Sequence, residues 1–122
     1  MRYLTLLRGT HSTTPPPPEL MAAIMALGEE ATKSGSLLDT SGLAPSAAGA
    51  RVSLSGGELT TTDGPFAESK EVISYAVYEV NSKEEAVEWA SRFLKVHRDL
   101  WPGWEGDVDV LKLFGPEDFP TP

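Results

Sequence analysis

The chain has no cysteine in its 122 residues, which excludes disulfides and thiolate metal ligands and fits a reducing compartment. Basic residues are few: 10 Lys and Arg stand against 18 Asp and Glu, a formal net charge of −8. Such a surface repels phosphate backbones and anionic bilayers, so neither nucleic acid nor a membrane is expected as partner. No apolar run approaches the roughly 18 residues of a spanning helix, and the run at residues 3–7 is too short for the apolar part of a secretory signal. The expected location is the cytoplasm. Histidine occurs only as His11 and His97, neither with a second ligand at metal spacing. A phosphate-cradling glycine loop, a nucleotide fingerprint and a nucleophile beside a base are all missing, so no metal or cofactor is expected.

What is present predicts one domain over residues 1–122, irregular from about residue 115. Residues 3–7 read as a strand. The tetraproline 15–18 is a stiff connector, and Pro18 suits the first position of a helix whose Leu20, Ile24, Leu27 and Ala31 share one face until Gly35. Leu37 and Leu38 start a short strand. Residues 51–55 and 58–62 alternate around Gly56-Gly57, a hairpin signal. From Val72 to Val80 nearly every residue is apolar, as in a strand covered on both faces. Ser82 and Glu85 form a capping box, with the Ser82 hydroxyl on the Glu85 N–H and the carboxylate returning to the Ser82 N–H, opening a helix to about Asp99. A last strand starts at Asp107 and closes before Gly115-Pro116. This order is α+β, an antiparallel sheet with two helices on one face. The other face then needs a cover, and a homodimer pairing two sheets supplies it.

The densest signature is Asp63-Gly64-Pro65-Phe66-Ala67-Glu68-Ser69-Lys70-Glu71. Gly64 permits a positive φ, Pro65 fixes its own φ and lacks a donor, and an Asp before Gly can bond the backbone two residues on. Asp63, Glu68 and Glu71 cluster near Lys70. Such carboxylates can share a proton and act as acid and base; equally, Asp63 can cap its own turn while the glutamates sit in solvent. Lys70 either holds an anionic group or forms a surface ion pair. His97 is a general base facing the sheet, or a histidine whose cation the helix C-terminus favours. Arg8 and His11 face the turn if strand one ends beside it. Phe66, Tyr75, Tyr78, Trp101 and Trp104 line an apolar pocket or build core and dimer interface. The candidates are therefore Asp63, Glu68 and His97 for catalysis, and Arg8, His11, Phe66, Lys70, Tyr75 and Trp101 for binding.

The signature, preceded by a Gly-Gly hairpin and a threonine-rich arm, resembles the motif of the YCII-related, or DGPF-domain, family. Residues 93–98 and the loop Trp101-Pro102-Gly103-Trp104-Glu105-Gly106 are similar to one of its subgroups. The resemblance implies a ferredoxin-like fold that dimerises into an α+β barrel. It departs from the family where Ile73-Ser74 replace strand-entry glycines, and where the first helix lacks the histidine proposed as half of a His–Asp pair in some relatives. Fold alone names no reaction. The expected function is binding of a small molecule, with cofactor-free acid–base catalysis by carboxylates in a barrel-side pocket as its enzymatic form. The alternative is a non-catalytic regulatory or interaction module, since many DGPF-type proteins resemble products encoded beside sigma factors of the extracytoplasmic-function type.

Overall fold

The computed structural model describes residues 1–10, 14–68 and 70–119. Six strands and two helices follow in the order β1 (Arg2–Gly9), α1 (Pro18–Lys33), β2 (Leu37–Gly42), β3 (Ala50–Ser55), β4 (Glu58–Asp63), β5 (Glu71–Glu79), α2 (Lys83–Leu100) and β6 (Gly106–Lys112). Four strands form one antiparallel sheet in the order β2-β5-β1-β6. Without β3 and β4 the order is βαββαβ, the ferredoxin-like arrangement.

Along β1, Tyr3, Thr5 and Leu7 are buried while Leu4, Leu6 and Arg8 are half-exposed. Period-2 alternation thus gives one sheet face to the helices. On that face Tyr3, Tyr78, Val80, Ala31, Ala86 and Trp89 make the core, with Leu27, Leu37, Ala76 and Val110 packed against it. Tyr78 stacks on Trp89 at 6.0 Å, and burial pushes the Tyr78 hydroxyl's pKa up. Arg92 lies over Trp89 and grips Glu30 with two guanidinium nitrogens, one at 2.9 Å, tying α2 to α1. Side chains in register on the second face are Leu4, Val77 and Leu111, then Leu6, Tyr75 and Asp109, then Arg8 and Val72.

Pro17 and Pro18 open α1 without a side-chain cap. Ser82 caps α2, accepting the Glu85 N–H at 3.2 Å, but the returning Glu85 carboxylate takes the Asn81 N–H at 2.9 Å, not the Ser82 N–H of the expected box. With Ser82 fully extended (φ −158°), the amide in reach is the preceding one. The β3–β4 hairpin forms a two-stranded sheet of its own, turning through Gly56 and Gly57, both at positive φ. The alternation of β6 stops at Lys112. After it, Pro116–Asp118 make a single 3-10 turn held by Lys112 on Asp118 at 3.0 Å, where the sequence predicts only irregular chain.

Candidate functional site

The C-terminal end of α2 and the loop after it build an aromatic wall. Trp101 N–H bonds the His97 carbonyl at 2.8 Å, Gly103 turns the chain at φ +84°, and Trp104 N–H bonds the Trp101 carbonyl at 3.1 Å. The returning Trp104 indole lies over Gly9 and Gly106, which pair across β1 and β6. A Cβ on Gly9 would sit 2.9 Å from that indole, and one on Gly106 would also meet the Arg8 carbonyl oxygen at 2.6 Å. Two glycines therefore make a bare backbone shelf on which the ring rests.

His97 is held between this indole and Phe93, each ring centre 4.7 Å from its own. Its Nδ1 lies 2.8 Å from the Phe93 carbonyl, so Nδ1 carries the proton and Nε2 is left as an acceptor. The residue is 4 % exposed, and burial pushes its pKa below the ordinary histidine value against the opposing pull of the carbonyl. The expected preference for the cation at a helix C-terminus is thus outweighed by desolvation. His97 lines a cavity of about 610 Å³ between α1, α2 and the sheet. Leu7, Ile24, Ile73, Phe93, Trp101 and Trp104 form its apolar walls, and Pro15 and Pro16 of the connector with Thr40, Ser41 and Ser74 complete its lining. Among the described residues His97 is the one titratable side chain that lines it.

The signature turn is built differently. Gly64 does not use the positive φ that glycine permits. Its glycine is required by proximity, because a Cβ there would collide with the Ser46 carbonyl, coming 2.5 Å from its carbon and closer still to its oxygen. The Gly64 N–H donates to the Gly49 carbonyl at 2.9 Å, and the Phe66 N–H to Ser46 Oγ at 3.0 Å. Ser46 Oγ in turn donates to the Glu71 carboxylate. Arg51 reaches over from β3, lying 4.1 Å from the Phe66 ring centre and pairing with Glu68 at 2.7 Å. The turn is clamped between the hairpin and the 3-10 turn Ser46–Ala48. The Gly64–Pro65 peptide is cis.

The proposed catalytic trio is not assembled in one place. Glu68 and Phe66 line a hollow of about 500 Å³ together with Arg8, Arg51 and Glu71. His97 and Trp101 line the cavity on the helix side. The division follows strand parity: Leu7 faces the helices and Arg8 the other side. Asp63 is exposed at the end of β4 opposite Ala50, and no side-chain bond of its own closes the turn among the described residues. Arg8 is engaged by Asp109 at 2.9 Å and Lys70 by Asp107 at 2.8 Å, which raises the Lys70 pKa. Tyr75 donates its hydroxyl to Asp39 at 2.9 Å. His11 lies outside the described residues. Sequence reasoning placed Trp104 only among general pocket aromatics and passed over Phe93, Ser46 and Arg51. The available signal was Gly106 directly after a Trp-Pro-Gly-Trp loop, opposite a strand ending in Gly9. Among the described residues no three His, Asp or Glu side chains come together as metal ligands, and no helix is long and apolar enough to cross a membrane.

A ferredoxin-like α+β chain with a neutral histidine walled into a cavity between helices and sheet is the class that fold and site define. The model of the YCII-related domain matches residues 1–101, and the chain belongs to that family. No curated protein matches it.

Proposed function

We propose that this protein binds a small, largely apolar molecule in the helix-side cavity and that His97 Nε2 accepts a hydrogen bond or a proton from it. One observation carries the reading: a single neutral imidazole, its tautomer fixed by the Phe93 carbonyl, lines an otherwise apolar and hydroxyl-bearing cavity of about 610 Å³. A lowered pKa keeps the ring unprotonated at neutral pH, the state a base must start from. Glu68 and Glu71 line a different hollow and Asp63 lies exposed at the end of β4, so any cofactor-free acid–base step in this cavity runs through His97 and the ligand. Calorimetry with 4-methylphenol and toluene tests the assignment. A hydrogen bond to Nε2 favours the phenol about tenfold, from a net gain of about 1–1.5 kcal/mol, and His97→Phe abolishes that preference. A preference that survives the substitution sinks the reading.

The same proposal includes a second copy of the chain as partner. Leu4, Leu6, Val72, Val77 and Leu111 share the sheet face that no helix covers. Val52, Leu54 and Leu59 on the hairpin are 68 %, 71 % and 73 % exposed. A two-stranded hairpin and a half-apolar sheet both gain from burial against a symmetry mate. Light scattering at micromolar concentration settles it: twice the chain mass is expected, and a stable monomer contradicts it.

A further inference from the structure

The helix-side cavity has an inner annex. A compartment of about 80 Å³ lies between the sheet and the middle of α1, and it shares Leu7, Ile24, Thr40, Ser74 and Phe93 with the outer cavity. Beyond that shared collar its walls are Leu27, Gly28, Leu37, Ala76, Ala90 and Val108 with the flanks of Thr5 and Tyr78. The two threonine hydroxyls are committed within the sheet, Thr40 to the Tyr75 carbonyl at 2.8 Å and Thr5 to the Ala76 carbonyl at 3.4 Å. Apart from Ser74 at the collar, the annex therefore presents carbon to an occupant, whereas the outer cavity presents the His97 ring.

Gly28 is part of the annex wall. It sits in the interior of α1, where glycine costs about 1 kcal/mol relative to alanine. A Cβ at this position would meet no atom within 4 Å, so neither packing nor a special φ demands glycine there. Every larger residue would take volume from the annex wall. An apolar cavity of roughly 150 Å³ takes a benzene ring, so by the same measure this annex takes about three carbons.

Resting on the proposed role of His97, we infer that the ligand has two parts: a head with an O–H or N–H donor that meets His97 in the outer cavity, and an unbranched hydrocarbon tail of about three carbons that passes the Leu7–Phe93 collar into the annex. A tail that enters gains about fourfold in affinity for each methylene, the value of removing one from water. A longer tail gains nothing more.

The test is a chain-length series, 4-methyl-, 4-ethyl-, 4-propyl- and 4-hexylphenol, titrated calorimetrically into the full chain, with toluene and propylbenzene as hydroxyl-free counterparts. Affinity is expected to climb about fourfold per carbon to propyl and then level off. Gly28→Leu erases the gain from methyl to propyl. Gly28→Ala, which keeps the helix and adds a single carbon, shortens the useful tail by about one carbon. The two readings separate cleanly. A chain-length gain that Gly28→Leu erases equally in phenols and alkylbenzenes, without any preference for the hydroxyl, upholds the annex and overturns the His97 head. A gain untouched by Gly28→Leu and by Gly28→Ala, a gain that continues to hexyl, or no binding of any member at millimolar concentration overturns the annex.

Discussion

Replacing Gly64 by alanine would put a methyl group into the Ser46 carbonyl, 2.5 Å from its carbon and 3.1 Å from the Ala47 nitrogen. Both obstacles are backbone, so no rotamer change relieves them, and the turn must lift off the 3-10 turn Ser46–Ala48. Lifting it breaks the Gly64 N–H bond to the Gly49 carbonyl and the Phe66 N–H bond to Ser46 Oγ. Each is worth about 1 kcal/mol net. Overpacking adds about 1–3 kcal/mol. The expected loss for Gly64→Ala is therefore about 3–5 kcal/mol, which for a domain of this size lowers Tm by roughly 12–20 °C at about 4 °C per kcal/mol. Circular-dichroism melting reads the magnitude, and amide exchange at Phe66 reads the location. Ser46→Ala serves as the control: it removes the hydroxyl without the collision and costs about 1–2 kcal/mol. A Gly64→Ala protein that melts within about 2 °C of the parent, with Phe66 still protected, would refute the close-approach account of this glycine.

Burial holds His97 below its ordinary value of 6.5, so the unfolded chain takes up this proton more readily than the folded one. Its contribution to stability rises with pH through the window below about 6.5 and is flat above it; the parent is expected to lose more Tm than His97→Gln between about pH 7 and 5, and equal slopes contradict the assignment. Glu68→Gln removes one partner of an exposed ion pair with Arg51, so it costs under about 1 kcal/mol and leaves 4-methylphenol binding unchanged; a tenfold fall in binding would return the carboxylate to the site. Trp104→Ala uncovers Gly9 and Gly106 and removes one wall of His97, with an expected loss of about 3 kcal/mol and restored solvent exchange at the imidazole, followed by melting and histidine nitrogen shifts; an unchanged melt would mean the indole is not packed on its shelf.

Much of the fold was legible because local chemistry and tertiary packing agree. Pro18 at a helix start, Leu20 and Ala31 on one face, Ser82 before an acidic first turn, and Gly56-Gly57 between alternating arms each specify an element without help from elsewhere. The nearly continuous apolar run from Val72 to Val80 announced a central strand, and β5 does sit between β1 and β2. Contacts between distant segments were not legible. Glycine serves both positive φ and close approach, and nothing in Asp63-Gly64-Pro65 tells one use from the other until Ser46, 18 residues earlier in the numbering, arrives against it. The Arg51 and Glu68 pair spans 17 residues and needs the hairpin to fold back before it exists.

The separation of the candidate residues was not legible for a related reason. Carboxylates close in sequence look like a reactive cluster, yet strand parity and long-range ion pairs decide which groups share a space. Arg8 and Asp109 take the parity opposite to Leu7 and Val108, and so the charged side chains of β1 and β6 meet on the face away from the helices. His97, reaching the sheet from α2, meets indole, phenyl and aliphatic groups there instead. A carboxylate beside it would hold its proton and raise its pKa; burial among rings does the reverse and leaves Nε2 ready to accept. The conspicuous turn thus braces the entry to β5, and the proposed chemistry is that of a lone uncharged imidazole in an apolar cavity. That chemistry selects for ligands that bring their own acidic proton.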